Sequence, residues 1–97
     1  MNWRIEFHPE ARAEALEAEA WYSERDPLVA ARFAVELERA VDAIAEAPLA
    51  WPSQGPGTRR CLLRNFPHEV VYRILVDRVE VIAVAHQRRR PGYWRGR

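Results

Sequence analysis

The sequence lacks the features that mark secreted, membrane and disulfide-bonded proteins. A chain with one cysteine, Cys61, cannot form an internal disulfide, and a lone thiol fits a reducing compartment. Because Cys61 lies in a strand-like run, we expect a buried, inert thiol. No apolar run approaches the ~20 residues that a membrane span needs, and residues 1–7 lack the apolar region of a signal peptide. These absences predict a cytoplasmic protein that does not enter a membrane.

Motifs for metal, nucleotide and covalent chemistry are also missing. The sequence has no glycine-rich phosphate loop, no cysteine–histidine cluster at metal-ligand spacing and no nucleophile elbow. We therefore expect no metal and no cofactor. The three histidines, His8, His68 and His86, fall in different predicted elements. His86 ends the last predicted strand beside several arginines and could serve as a general base, although a strand-end cap is its more frequent role.

Lysine is absent, and the arginines are unevenly distributed. Residues 1–58 hold five arginines and eleven acidic residues, a net charge of −6, whereas residues 59–97 hold ten arginines and three acids, a net charge of +7. The chain of 97 residues is long enough for one domain with one modest core, so we expect a single domain over residues 1–97. The charge asymmetry suggests a nucleic-acid surface or an acidic partner chain.

The most basic segment lies at the C-terminus. Residues 87–97 form a tail with five arginines and two adjacent aromatic residues but no acid. Arginine pairs with phosphate, and aromatic rings stack on bases or guanidinium groups. A solvated tail that aids solubility would have the same composition. We predict that the target-binding residues are in this tail: Arg88, Arg89, Arg90, Tyr93 and Trp94.

Periodicity and turn residues predict the order β-α-α-β-β-β. A strand over residues 3–7 is followed by helices over 9–24 and 27–47, the second of them started by Asp26-Pro27. Three prolines and two glycines predict a loop over 48–57, in which Trp51 fills the gap between helix and sheet. Strands are then expected over 58–65, 69–76 and 79–86. This α+β pattern implies an antiparallel helical hairpin packed on a small, mainly antiparallel sheet.

Each helix has a predicted core face. In the second helix, Phe33, Leu37, Val41 and Ile44 form one apolar stripe at helical spacing. In the first helix, the predicted face contains five residues, namely Ala13, Leu16, Ala20, Trp21 and Tyr22.

Five short motifs follow one another along residues 3–95. They are Glu17 with Trp21-Tyr22; Ala31-Arg32-Phe33 with Glu36-Leu37; Pro48 with Trp51-Pro52; Arg64 with Phe66-Pro67 and Val70-Val71-Tyr72; and Ala83-Val84-Ala85-His86 with Arg89, Pro91, Tyr93 and Trp94. In this order and spacing the chain resembles the RelE/ParE superfamily, the toxins of bacterial type II toxin–antitoxin modules. The resemblance implies the same element order, a growth-inhibiting activity and a cognate antitoxin with an acidic, partly disordered segment.

The resemblance leaves two activities open. RelE-like members cleave mRNA in the ribosome's decoding site, and ParE-like members are associated with poisoning DNA gyrase. The central-strand arginine of the RelE cleavage set falls on Glu69, and the arginine after the last strand falls near Gln87, beside Arg88. Only the C-terminal tyrosine is matched, by Tyr93. An acid repels phosphate where RNA must be held, so the resemblance favours the ParE-like branch.

Two alternatives remain from the sequence. For a metal-independent mRNA endonuclease, the catalytic candidates are Tyr93, His86 and Arg88. The other alternative is a non-toxic small nucleic-acid-binding domain that uses the basic tail.

Overall fold

The computed structural model describes residues 2–97, and in this range the predicted element order is confirmed. Both helices begin with proline after a residue whose side chain caps the first turn: His8 Nδ1 accepts a hydrogen bond from the Glu10 amide, and Asp26 Oδ1 accepts one from the Leu28 amide. The elements are β1 (Ile5–Phe7), α1 (Pro9–Arg25), α2 (Pro27–Glu46), a 3₁₀ turn (Pro48–Ala50), β2 (Arg59–Leu62), β3 (His68–Ile74) and β4 (Val79–His86).

The sheet has the strand order β1-β4-β3-β2. β1 pairs with β4 in parallel, whereas the β2–β3 and β3–β4 pairs are antiparallel, as expected for a mainly antiparallel sheet. Val71 pairs with Ala83 and Tyr72 pairs with Val81, so Ile82 is an extra residue in β4. Such a bulge disrupts the ladder locally and leaves the extra residue unpaired.

The helical hairpin covers one face of the sheet, and the main core lies between them. Phe33 and Ile44 are fully buried in this core, and Leu37 packs against it, which confirms most of the stripe predicted for α2. Val41 is only half-buried, and the smaller Ala40 takes a core position instead. Trp51 also packs against this core, as predicted.

The face predicted for α1 is wrong except at Tyr22. Leu16 and Trp21 are exposed to 62% and 53%, and Ala13 and Ala20 are exposed as well. The helix instead packs through Ala11, Ala15, Ala18 and Tyr22. Small alanine side chains allow α1 to lie close to the sheet, so the larger apolar residues are not needed there.

The tail covers part of the opposite face of the sheet. Residues 87–97 form a series of turns, and Trp94 is only 4% exposed in a second apolar cluster with Val71, Ala83 and Ala85. Within residues 2–97, no helix is long and apolar enough to cross a bilayer. The same residues contain no group of three or more His, Cys, Asp or Glu side chains placed to hold a metal ion.

Candidate target-binding site

The tail leaves the sheet through a tight turn at the end of β4. The Arg88 amide donates to His86 Nδ1 at 3.0 Å, and the Arg89 amide donates to the His86 carbonyl at 2.9 Å. His86 is half-buried, and through these two hydrogen bonds it caps the end of the strand. The turn leaves Arg88, Arg89 and Arg90 exposed, and none of them forms an ion pair within the described chain.

The five predicted target-binding residues do not all share one surface. His86, Arg89, Tyr93 and Trp94 line a cavity of about 330 Å³ between the tail and the sheet, and Arg88 and Arg90 lie outside it. The Arg89 guanidinium lies over the Tyr93 ring, 4.0 Å from its centroid, a cation–π contact. Trp94 is buried rather than presented at the surface, so its indole packs the tail onto the sheet.

Tyr93 is held by a carboxylate that the sequence did not single out. Its hydroxyl donates to Glu14 Oε2 of α1 at 2.6 Å. Burial, followed by the bond to Glu14 and its negative charge, raises the pKa of Tyr93 above the usual value of 10.0. Tyr93 therefore keeps its proton at neutral pH, which makes it a poor general base.

Glu14 also binds Arg97 and β4. Its two carboxylate oxygens accept hydrogen bonds from Arg97 Nη1 at 2.9 Å and Nη2 at 3.1 Å, and Oε1 accepts a third bond, at 3.0 Å, from the Val84 amide. The side chains of Glu14 and Arg97 are each 13% exposed. Nothing in the local sequence separates Glu14 from the other glutamates of α1, because its partners are about 70 to 83 residues away.

The floor of the cavity contains a second ion pair. Glu69 is 7% exposed on β3, and its carboxylate accepts from Arg60 Nη1 at 3.2 Å and from Gln54 Nε2 at 3.5 Å. The position that carries an arginine in the RelE pattern therefore holds a buried carboxylate that neutralises a neighbouring arginine. Glu69 is conspicuous in the sequence, but its partner Arg60 is not, because their contact depends on the register of β2 and β3.

His86 contacts His68, which is buried in β3. The two rings lie edge to face with centroids 5.1 Å apart, and His68 also packs against Phe33. Burial, and then the neighbouring His86, lower the pKa of His68 from 6.5 to about 4. His68 is therefore neutral at physiological pH and contributes no positive charge to the site.

An apolar groove lies between α2 and β2, and it shares Leu62 with the cavity beside the tail. Its volume is about 1060 Å³, and Leu28 and Val35 of α2 and Leu62 of β2 line it with exposed side chains. Cys61 lines it too, but burial raises the pKa of its thiol, which fits the predicted inert role. β2 is also the edge strand of the sheet, and part of its outer side is covered by the loop before it, since the Arg60 amide donates to the Pro52 carbonyl at 3.0 Å.

The charged side chains along this groove are mainly arginines. Arg32, Arg39 and Arg64 line it, and none of the three forms an ion pair within residues 2–97. Burial acts to raise the pKa of the one acid, Glu36, but hydrogen bonds from the amide and side chain of Asn65 and from the Arg64 amide outweigh it, so the pKa is lowered. The groove thus combines an apolar floor with unpaired positive charge.

Comparison with known proteins agrees with this fold. Residues 5–91 match the model of the ParE toxin of type II toxin–antitoxin systems, parDE. Toxin RelE1 of Caulobacter vibrioides is 38% identical over 68 residues, which cover 68% of this chain and 73% of that protein. Putative toxin Y4kP of Sinorhizobium fredii is also 38% identical over 68 residues, with 69% and 70% covered.

A solved structure of a chromosomal ParDE toxin–antitoxin system from P. aeruginosa has the same fold. The match has a TM-score of 0.76 and covers 87% of this chain and 95% of that chain, at 16% sequence identity. The family match spans most of the chain, from β1 to the turn after β4. The chain therefore belongs to the ParE toxin family of type II toxin–antitoxin systems.

Proposed function

We propose that this chain is a cytoplasmic toxin of the ParE-like branch, which inhibits growth through DNA gyrase and is neutralised by a cognate antitoxin. Residues 1–97 act as one toxin domain, and its basic aromatic tail at 87–97 contacts the target. The observation that carries the choice of branch is the buried Glu69 carboxylate, which pairs with the more exposed Arg60 in the cavity beside the tail.

Cleavage of mRNA by its own 2′-hydroxyl requires a base, an acid and cations that hold the developing phosphate charge. The cavity offers Arg89 as a cation, but Glu69 places a negative charge at its floor and occupies Arg60. The Tyr93 hydroxyl is bonded to Glu14 and retains its proton. These groups favour an activity without RNA cleavage, so we propose that the protein is not an enzyme.

Two assays on purified protein test the target. The toxin is added to a DNA gyrase supercoiling reaction and, separately, to a translating cell extract in which mRNA cuts are mapped. We expect impaired supercoiling and intact mRNA. Codon-periodic cuts with unimpaired gyrase would overturn the gyrase proposal and favour the RelE-like endonuclease. If neither reaction is affected and the protein binds RNA or DNA without toxicity, it is a nucleic-acid-binding domain instead.

The groove between α2 and β2 is the proposed antitoxin site. An amphipathic segment can place apolar side chains on Leu28, Val35 and Leu62 and acidic side chains beside the three unpaired arginines. An acidic antitoxin segment has this complementary charge, and such complementarity speeds association at low salt.

A binding experiment with the proposed cognate antitoxin tests this site. Stopped-flow association should slow markedly with added salt, and Leu28→Glu should weaken binding because it puts an acid on the apolar floor. Leu16→Glu, at an exposed leucine of α1 away from the groove, is the matched control. Equal effects of the two substitutions would place the antitoxin elsewhere.

A further inference from the structure

The edge of β4 is only partly covered by β1. β1 ends at Phe7, and the last bond on this edge from the β1 side runs from the His8 amide to the Val81 carbonyl at 2.8 Å. Beyond that point no strand of the described chain pairs with this edge of β4, and the bulge at Ile82 disrupts its other ladder as well. Backbone amides and carbonyls at such a site are costly if they are buried without partners.

A carboxylate–guanidinium pair supplies the missing partners. Glu14 accepts the Val84 amide at 3.0 Å, and Arg97 Nη1 donates to the Ile82 carbonyl at 2.9 Å. Glu14 and Arg97 bind each other through both carboxylate oxygens, a bidentate and largely buried geometry. Together they provide one acceptor and one donor to the strand edge, as the next residues of β1 would have done.

The same carboxylate determines where the tail side chains lie. It holds the Tyr93 hydroxyl at 2.6 Å, and the Tyr93 ring in turn lies under the Arg89 guanidinium. Arg97 also reaches Glu10 on the first turn of α1, at 3.1 Å. Contacts therefore run from α1 through Glu14 to Tyr93 and on to Arg89 at the surface.

We propose that Glu14 is a positioning residue: it completes the edge of β4 and holds residues 86–97 in the conformation that presents Arg89 beside the cavity. That this conformation serves toxicity rests on the function proposed above, whereas the hold on the tail is a property of the fold alone. Removing the carboxylate releases the tail without disturbing the helical hairpin.

Hydrogen exchange of the purified chain tests the hold directly. Glu14→Gln should raise the exchange rates of amides in residues 89–97 by roughly ten- to hundredfold, because a neutral amide replaces the charged carboxylate that Tyr93 and Arg97 bind. The amides of α2 should stay protected. Glu17→Gln removes an exposed carboxylate from the same helix and should change neither region. A tail as protected in Glu14→Gln as in the wild type would overturn the proposal.

Two milder variants keep the test decisive if Glu14→Gln loosens the whole fold. Tyr93→Phe removes only the hydroxyl, and Arg97→Ala removes only the guanidinium, while both leave Glu14 in place. Faster tail exchange with a protected α2 supports the proposal, and unchanged tail exchange in both variants refutes it.

Inducible expression then tests the role in toxicity. Glu14→Gln should lose growth inhibition, whereas Glu17→Gln should inhibit growth like the wild type. A released tail with full growth inhibition would show that Glu14 does not position a working segment. If the wild-type chain does not inhibit growth, the proposed function fails, and hydrogen exchange still decides whether Glu14 holds the tail.

Discussion

The imidazole rings of His68 and His86 lie edge to face across β3 and β4, with centroids 5.1 Å apart. His68 is 6% exposed, and its Nδ1 has no hydrogen-bond partner within the described residues. Burial first, and His86 second, make the charged imidazolium unfavourable, so the pKa of His68 falls from 6.5 to about 4. This relationship links the stability of the sheet to pH.

We predict that the free energy of unfolding decreases as the pH falls from about 6.5 toward 4. In that range the unfolded chain binds a proton at His68 that the folded chain does not. The stabilisation that neutral His68 gives the folded chain is therefore complete above pH 6.5 and is lost as the pH falls toward 4. The loss by pH 4 is on the order of 3 kcal/mol. Urea unfolding at several pH values should give a shallower pH dependence for His68→Phe, and equal slopes for both proteins would contradict this prediction.

The α2 core face gives a graded set of stability effects. Ile44→Ala is expected to cost about 2–5 kcal/mol because it leaves a cavity in a fully buried position, and Leu37→Ala should cost less, about 1–2 kcal/mol, because Leu37 is half-buried. Leu28→Ala, at an exposed site of the same helix, should change stability by less than about 0.5 kcal/mol. Denaturant unfolding measures all three, and a cost at Leu28 as large as that at Ile44 would refute this packing.

The two helices show what the sequence could and could not predict. The stripe through Phe33, Leu37 and Ile44 was predictable because large apolar residues repeat at helical spacing. The core face predicted for α1 was wrong because its buried face is mostly alanine, whereas the larger Leu16 and Trp21 are exposed to solvent. Large apolar residues identify a core face only where there is a large space to fill. Because α1 packs closely on the sheet, little space remains between them.

The candidate site was predictable in composition but not in arrangement. The arginine-rich tail, Tyr93 and the unusual Glu69 are visible in the sequence. Their partners Glu14 and Arg60 are not, because each contact depends on strand register or on the path of the tail. The edge of β4 that β1 leaves uncovered, which Glu14 completes, likewise depends on how the strands pair.

Trp94 should matter for stability more than for direct target contact. Trp94→Ala is expected to lower the free energy of unfolding by about 3–5 kcal/mol, because the indole is buried against Val71, Ala83 and Ala85. Trp21→Ala is the matched control, since Trp21 is 53% exposed and is expected to cost about 1 kcal/mol or less. Thermal unfolding of both variants is the measurement, and similar small losses would show that Trp94 does not pin the tail.

Glu69 is expected to suppress binding of nucleic acid in the cavity. Glu69→Gln removes a negative charge and frees Arg60, so the affinity for a short single-stranded RNA should rise roughly three- to tenfold at low salt. The affinity should also fall more steeply with added salt, by the amount expected for about one additional phosphate contact. Glu80→Gln frees Arg73 outside the cavity and controls for net charge. Fluorescence anisotropy measures both, and equal gains would mean that the cavity has no special part.

The two arginine sets should separate toxicity from antitoxin binding. Replacing Arg88, Arg89 and Arg90 together with alanine should abolish growth inhibition but lower thermal stability only slightly, because exposed charges contribute little and the Arg89–Tyr93 stack is worth about 0.5–1 kcal/mol. Binding to the antitoxin should persist, since none of these three arginines lines the groove.

The reciprocal variant replaces the three groove residues Arg32, Arg39 and Arg64 with alanine. It should still inhibit growth, but its association with the antitoxin should be slower and less dependent on salt, because the charges that attract an acidic segment are gone. Growth curves measure the toxicity of both triple variants, and stopped-flow kinetics measure their association with the antitoxin. If both variants lose the same property, toxicity and neutralisation share one surface, and the separation of the tail from the groove is wrong.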